Sequence, residues 1–372
     1  MKLIVEKESL LKVLSKVQGI ADRKSSMAIL STILFKVLDS GIEISATDLE
    51  LGFKSYVEAE VETPGALAVP ARKFYEIVKD FPQERLILEE EGHYLNITSP
   101  GDDDVFFRLA CLPAEDFPAL PVTEEAGLIE IAGDLLAEMI TKTIFCVATE
   151  ETRFILSGIY MEQPEGEDVL RLVATDGHRL AMIDRQIENI SSLNLNPGII
   201  VPKKAAQEIK KLAQDIPILQ FGLKDNHLII AAPNMVLTAR LIDGQYPDYR
   251  AVIPDVQENP VILPRQKLLE ALKRTSIISA ERYRPVAFHL NPGYLTLVAQ
   301  HPDLGEAREK IPINYEGEEV ALNFNAKYLI DALEAMNSEE VEFYLKDEDT
   351  PCIIKGPEDF GFLCLVMPMS SV

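Results

Sequence analysis

Apolar positions along this chain alternate between a helical and a strand period, and the alternation recurs three times. Residues 7–24 place Leu10, Leu11, Val13, Leu14 and Val17 on one helical face, with Ser9 as a candidate cap. The same spacing returns over 135–147 and over 267–278, where Leu268, Leu269, Leu272 and Ile277 share a face. Between helices the period drops to two. Residues 32–38, 42–46 and 53–61 read as strands, the first two joined by the turn Asp39-Ser40-Gly41. A second helix in each third follows a Pro or Asn cue, at Val69-Pro70-Ala71-Arg72-Lys73-Phe74, Val201-Pro202-Lys203-Lys204-Ala205-Ala206 and Phe324-Asn325-Ala326-Lys327-Tyr328-Leu329. Proline in a first helical turn forfeits no hydrogen bond. Hairpins follow around Glu91-Gly92, around Asp225-Asn226 and over 346–351, and each third closes on Asp116-Phe117-Pro118, Gln245-Tyr246-Pro247-Asp248-Tyr249 or Val366-Met367-Pro368-Met369.

This order predicts an α+β fold of three repeated domains, 1–125, 126–253 and 254–372, with helices on one side of antiparallel sheets. The period is too long for a solenoid. The middle copy is specialised: the apolar run 170–173 enters Ala174-Thr175-Asp176-Gly177-His178-Arg179-Leu180, where Asp and Gly dictate a turn. Its counterparts are Ala46-Thr47-Asp48-Leu49-Glu50-Leu51 and Ala299-Gln300-His301-Pro302-Asp303-Leu304.

A length of 372 residues exceeds one ordinary core, and 47% apolar content excludes wholesale disorder. No apolar run is long enough to span a membrane, and Lys2, Glu6, Lys7 and Glu8 interrupt any signal peptide, so a cytoplasmic protein with no membrane partner is expected. Cys111, Cys146, Cys352 and Cys364 are scattered and read as reduced thiols, mostly in strands.

The net charge of −24 argues by itself against nucleic acid, but its placement does not. The predicted helices 7–24, 71–82, 134–149, 203–215, 265–278 and 326–337 hold 18 basic and 11 acidic residues, a net +7 against −31 elsewhere. Six helices biased together suggest one shared positive face. The chain has no zinc spacing, helix-turn-helix pattern or Trp, so contact with nucleic acid is expected to be with phosphate and independent of sequence.

Asp176, His178 and Arg179 lack the companions that catalysis requires. There is no Gly-x-Ser-x-Gly, phosphate loop or dinucleotide fingerprint, so no catalytic residue, metal or cofactor is assigned. A hydrolase centred on Asp176 and His178, or a monomeric repeat scaffold, is the alternative. The turn reads instead as a surface that receives a ligand or partner. Asp102-Asp103-Asp104 lacks the Gly and terminal Glu of a calcium loop and reads as a solvated hairpin tip. Leu365-Val366-Met367-Pro368-Met369 is apolar almost to the end of the sequence and is expected to dock in a sheet or groove, with Met suited to varied partners.

Val-Pro-Ala-Arg-Lys-Phe at 69–74, Ala-Thr-Asp-Gly-His-Arg-Leu at 174–180, Tyr-Pro-Asp-Tyr-Arg at 246–250, Phe-Asn-Ala-Lys-Tyr at 324–328 and Val-Met-Pro-Met at 366–369 together resemble the bacterial sliding clamp, the beta subunit of DNA polymerase III. The resemblance covers the whole chain. It implies a homodimer of three-domain chains closed head to tail around double-stranded DNA, a processivity factor rather than an enzyme. Its partners are the replicative polymerase, the clamp loader and repair proteins, which bind through short motifs. The implied peptide groove is Leu156, Thr175, Gly177, His178, Arg179, Leu180, Pro247, Arg250, Asn325, Tyr328, Val366, Met367, Pro368 and Met369, with Pro247 and Tyr328 as walls and Arg250 at the rim. The implied subunit contact sets Phe107 and Leu109 against Ile277 and Ile278, with the acidic run 102–104 beside that edge. Candidate phosphate contacts are Arg23, Lys24, Arg72, Lys73, Arg153, Lys203, Lys204, Lys210 and Lys211. Six helices about 10 Å wide enclose a hole of only about 9 Å, whereas twelve leave about 28 Å for a duplex about 20 Å across, so two chains are needed.

Overall fold

Six times along the chain a strand runs directly into a helix, and antiparallel strands follow. The computed structural model describes residues 1–21, 26–121, 127–255, 259–279 and 285–369. The first third contains β1 (Lys2–Glu6), α1 (Lys7–Val17), β2 (Thr32–Leu38), β3 (Gly41–Thr47), β4 (Leu51–Glu58), a short β5 (Glu60–Thr63), β6 (Gly65–Pro70), α2 (Ala71–Asp80), β7 (Arg85–Glu91), β8 (Tyr94–Ser99) and β9 (Asp102–Ala110). The second contains β10 (Gly127–Ala132), α3 (Gly133–Thr141), β11 (Gly158–Glu162), β12 (Val169–Thr175), β13 (Arg179–Gln186), β14 (Ile199–Pro202), α4 (Lys203–Asp215), β15 (Ile218–Lys224), β16 (His227–Ala232) and β17 (Met235–Arg240). The third contains β18 (Val261–Pro264), α5 (Arg265–Thr275), β19 (Pro285–Asn291), β20 (Tyr294–His301), β21 (Gly305–Pro312), β22 (Val320–Asn325), α6 (Ala326–Glu334), β23 (Glu340–Tyr344), β24 (Cys352–Lys355) and β25 (Phe362–Val366).

Within each third the two halves interlock by exchanging a strand. The strand before the first helix joins the hairpins of the second half, and the strand before the second helix joins those of the first: β1 pairs β7, and β6 pairs β2. The same exchange links β10 to β15, β14 to β11, β18 to β23 and β22 to β19. Two further pairings, β17 with β4 and β13 with β25, fuse neighbouring thirds into eight-stranded sheets. The chain accordingly divides into two compact units, Met1–Asp134 with Gln207–Leu241, and Leu135–Ala206 with Ile242–Val372. Each unit also holds one smaller sheet with a free edge among the described residues: β9 ends the order β5-β1-β7-β8-β9, and β21 ends β21-β20-β19-β22.

The helices bury their apolar stripes against these sheets and against each other. Leu10, Val13, Leu14 and Val17 of α1 and Ala71, Phe74 and Val78 of α2 are buried, and Phe74 meets Phe35 edge to face at 5.2 Å. In the other unit α5 buries Leu268, Leu269, Ala271 and Leu272 against α6.

Several sequence expectations change. The first helix stops at Val17 rather than 24, and α3 stops at Thr141, followed by a 3-10 turn at Ile144–Cys146. That turn has a physical cause. The Thr143 hydroxyl donates to the Met139 carbonyl at 2.9 Å, and Lys142 turns inward to a buried ion pair with Asp359 at 2.5 Å. Burial alone would raise the Asp359 carboxyl, but donors from Lys142 and Ser338 hold it below its ordinary 3.8. The strand expected over 53–61 is two strands, β4 and β5. Pro70 and Pro202 end strands immediately before the helices that follow instead of lying in their first turns. The hairpin tip is Pro100-Gly101, with Gly101 at φ +75, and the acidic run 102–104 opens β9. The shorter helices hold fifteen basic and ten acidic residues, a net +5. All four cysteines are free and buried, though only Cys352 and Cys364 lie in strands. Burial pushes the Cys111 thiol up to about 12 and raises the other three as well, which suits inert thiols.

Candidate functional site

The β12–β13 turn is built by its own side chains. The Thr175 hydroxyl donates to the Arg179 carbonyl at 2.7 Å and accepts from the Gly177 amide at 3.1 Å. One Asp176 carboxylate oxygen accepts from the His178 and Arg179 amides at 3.0 and 3.1 Å. Gly177 sits at φ +87. The first third repeats the turn bond for bond, with Thr47 to Leu51, Leu49 to Thr47, and Glu50 and Leu51 to Asp48, yet places Leu49 at φ 78. Gly177→Ala is therefore expected to fold with a loss of about 1–2 kcal/mol from left-handed backbone, measured by chemical denaturation. Its Cβ would lie 2.5 Å from the Arg153 Nη1, the mobile end of a side chain. A wild-type midpoint would show that this turn relaxes.

Arg179 looks like a surface cation in sequence but is a bracket. Its side chain is only 9% exposed. Its guanidinium donates to Asp331 of α6 at 2.7 Å, to the Phe145 carbonyl at 2.6 Å and to Asp176 at 3.0 Å, and lies 4.4 Å from the Tyr328 ring centre. His178 stacks on Tyr328 with centroids 6.5 Å apart. The hairpin, α6 and the 3-10 turn are thereby locked together.

Beside this bracket lies an apolar cavity of about 210 Å³, lined by Leu156, Thr175, Gly177, His178, Arg179, Leu180, Pro247, Asp248, Tyr249, Val252, Pro351, Leu365 and Met367. Its floor is a buried cluster including Val173, Leu180, Tyr246, Tyr249 and Leu365. The C-terminal strand completes it: β25 pairs β13 with Val366 opposite Arg179, and the Met367 amide donates to the His178 carbonyl at 3.0 Å. Beneath Tyr249 a polar network holds the wall. Its hydroxyl donates to the buried Glu162 at 2.5 Å and accepts from Arg171 at 3.2 Å, while Arg171 makes a two-pronged pair with Asp184. Burial and the Glu162 hydrogen bond push the Tyr249 hydroxyl up to about 12.

Eight of the fourteen predicted groove residues line this cavity, and six are placed otherwise. Arg250 pairs with Glu162 at 2.6 Å instead of standing free at the rim. Asn325 caps α6 through the Lys327 amide. Tyr328 lines a second, polar concavity of about 410 Å³ on the other side of the turn, together with Arg153, Lys203 and Lys327. Val366 and Pro368 are buried, and the Met369 amide donates to the Asn323 carbonyl at 2.7 Å. Sequence reasoning missed Asp248, Tyr249, Val252, Pro351 and Leu365 as lining residues, although Asp248, Tyr249 and Leu365 lie inside stretches it singled out.

The basic candidates divide similarly. Arg23 and Lys24 lie outside the described residues. Arg72 and Lys73 are exposed on α2 and share Glu76 as partner, while Lys211 on α4 pairs with Glu208 at 2.7 Å. Arg153 bonds the Asp176 carbonyl. Lys203, Lys204 and Lys210 lie along α4, Lys204 exposed and the other two half-buried. Of the contact candidates, Phe107 (39% exposed) and Leu109 sit on the edge strand β9, and Ile277 (75% exposed) and Ile278 follow α5. Phe106, not singled out from the sequence, is 54% exposed on the same strand. No helix among the described residues is long and apolar enough to cross a membrane.

Three sequence profiles of the DNA polymerase III beta subunit match in order: the N-terminal domain over residues 1–121, the central domain over 130–248 and the C-terminal domain over 250–370. The beta sliding clamp of Caulobacter vibrioides is 32% identical over 380 residues, spanning 99% of this chain and all of that one. The clamp of Proteus mirabilis is 34% identical with the same coverage. Among solved structures, a clamp from Bartonella birtlesii bound to griselimycin superposes with a TM-score of 0.92 at 32% identity, and the beta subunit of Thermotoga maritima with 0.91 at 30%, each over the whole of both chains.

Proposed function

The chain belongs to the DNA polymerase III beta-subunit family, the sliding clamps, and on that premise we propose that its apolar cavity is the groove through which partner proteins are tethered. As a member of this family it is a processivity factor for DNA replication and not an enzyme. One observation carries the groove reading: an apolar floor with a few fixed polar groups, closed by the terminal segment that contributes Met367. Such sites suit short linear peptides with one or two bulky anchors, and a flexible Met lets one site accept several of them. We assign Leu156, Thr175, Gly177–Leu180, Pro247 and Met367 as its walls, with Tyr249, Val252 and Leu365 added from the cavity. Replicative polymerase, clamp loader and repair proteins are the proposed occupants, in the cytoplasm.

We place the domain boundaries near residues 125 and 253, where the repeat spacing sets them. The free edges β9 and β21 support a ring of two chains in which the β9 edge of one meets the β21 edge of the other, twice. This heterologous contact closes on itself. The basic helices are the proposed lining, touching phosphates of double-stranded DNA without reading bases. Retention of the protein on closed circular DNA should persist at high salt and disappear when the circle is cut, because individual phosphate contacts are screened while enclosure is not. If cutting the circle left retention unchanged, encirclement would be wrong.

A further inference from the structure

Two of the cations assigned to DNA share a single carboxylate. On α2 the Arg72 Nε lies 2.7 Å from one oxygen of Glu76, and the Lys73 Nζ lies 2.8 Å from the other. We propose that Glu76 is an internal stand-in for a DNA phosphate, which must be displaced before α2 can grip the duplex. This rests on the reading that the basic helices face DNA.

The geometry supports an exchangeable bridge. Arg72 and Lys73 are 63% and 67% exposed, and α2 buries the opposite face through Ala71, Phe74 and Val78. The spacings i,i+4 and i,i+3 let one carboxylate reach both cations, though with the acid on the C-terminal side, the weaker order for helix stability. Both cations also occupy the first turn of α2, which has no acidic residue there, at the helix end that disfavours positive charge. Helix stability alone therefore does not account for two cations at these positions. An arriving phosphate would find a guanidinium and an ammonium already set about one anion's width apart. Among the described residues Lys211–Glu208 is a simpler pair and Asp331 joins Lys327 to the bracket residue Arg179, while Glu76 bridges two of the cations assigned to DNA. Binding then exchanges carboxylate for phosphate at little net gain, which keeps the grip weak and the clamp free to slide.

The test uses the intact protein on short linear duplex DNA, with affinity measured across a salt series for wild type and Glu76→Gln. Asp80→Asn is the control, since Asp80 is exposed on the same helix and removes the same charge without an ion pair. Glu76→Gln is expected to tighten binding about 5- to 10-fold at low salt. It should also steepen the slope of log K against log salt by about one to two, the signature of newly engaged phosphates. Asp80→Asn should change affinity less than about twofold and leave the slope alone, as expected of a diffuse charge effect. Equal effects from the two variants would overturn the inference while leaving DNA contact by α2 intact. Arg72→Ala with Lys73→Ala, added to Glu76→Gln, separates the premise: if removing the freed cations left binding at the Glu76→Gln level, α2 would not touch DNA and both readings of it would fall. In that double-alanine background Glu76→Gln should add nothing to affinity, and an undiminished gain would likewise overturn the proposal.

Discussion

Deleting residues 367–372 is expected to abolish binding of a linear peptide carrying Gln, Leu and Phe anchors while leaving the protein folded. The cut falls just past β25, so the strand pairing of Val366 with Arg179 and Cys352 survives. It removes Met367 from the cavity wall, its amide bond to the His178 carbonyl and the Met369–Asn323 bridge. A central apolar wall with a backbone anchor is the kind of contact that dominates peptide affinity, so a loss of at least about 100-fold, about 2.7 kcal/mol, is expected by calorimetry. His178→Ala combined with Met367→Ala should weaken binding in the same direction without shortening the chain. Equal affinity of the truncated and intact proteins, both shown to be folded, would place the partner site elsewhere.

Much of this cavity was legible because its decisive signals are local. Asp-Gly in the β12–β13 turn and an apolar terminal segment are short-range features, and the structure uses both. What was not legible depends on distant pairing. Arg179 reads as an exposed turn cation, and the Phe145 carbonyl and Asp331, 34 and 152 residues away, draw it inside. The contribution of Tyr249 to the wall is fixed by Glu162, 87 residues earlier. The described residues form the six expected helices, but the sequence pattern overextends α3 because Ile144, Phe145 and Val147 continue the apolar spacing after Lys142 has turned inward. Strand exchange within each third, and the β17–β4 join between residues some 180 apart, follow from sheet completion rather than from any periodicity. Charge shows the same limit: a helical cation reads as free in sequence, whereas Arg72, Lys73 and Lys211 each hold a neighbouring carboxylate.

Replacing Ile277 and Ile278 together with Ala is expected to convert the dimer to monomers while leaving each chain folded and its groove active. Ile277 is 75% exposed and Ile278 half-buried in the turn after α5, where backbone bonds to Arg274 and Thr275 do not depend on the side chains. Within one chain the change to Ile277 should therefore stay within about 0.5 kcal/mol, as surface substitutions usually do. In the proposed ring the same side chains are covered by the β9 edge with Phe107 and Leu109, and truncating a well-packed Ile costs about 2–5 kcal/mol. The contact occurs twice in a closed pair of chains, so every substitution acts twice, and dissociation at micromolar concentration should be visible by sedimentation. Retention on circular DNA should vanish with the ring. Peptide affinity should not change, because the cavity lies wholly within Leu135–Ala206 and Ile242–Val372 of a single chain. A dimer of unaltered strength would remove these two residues from the subunit contact. Loss of peptide binding along with the dimer would mean instead that the substitution had disturbed the fold.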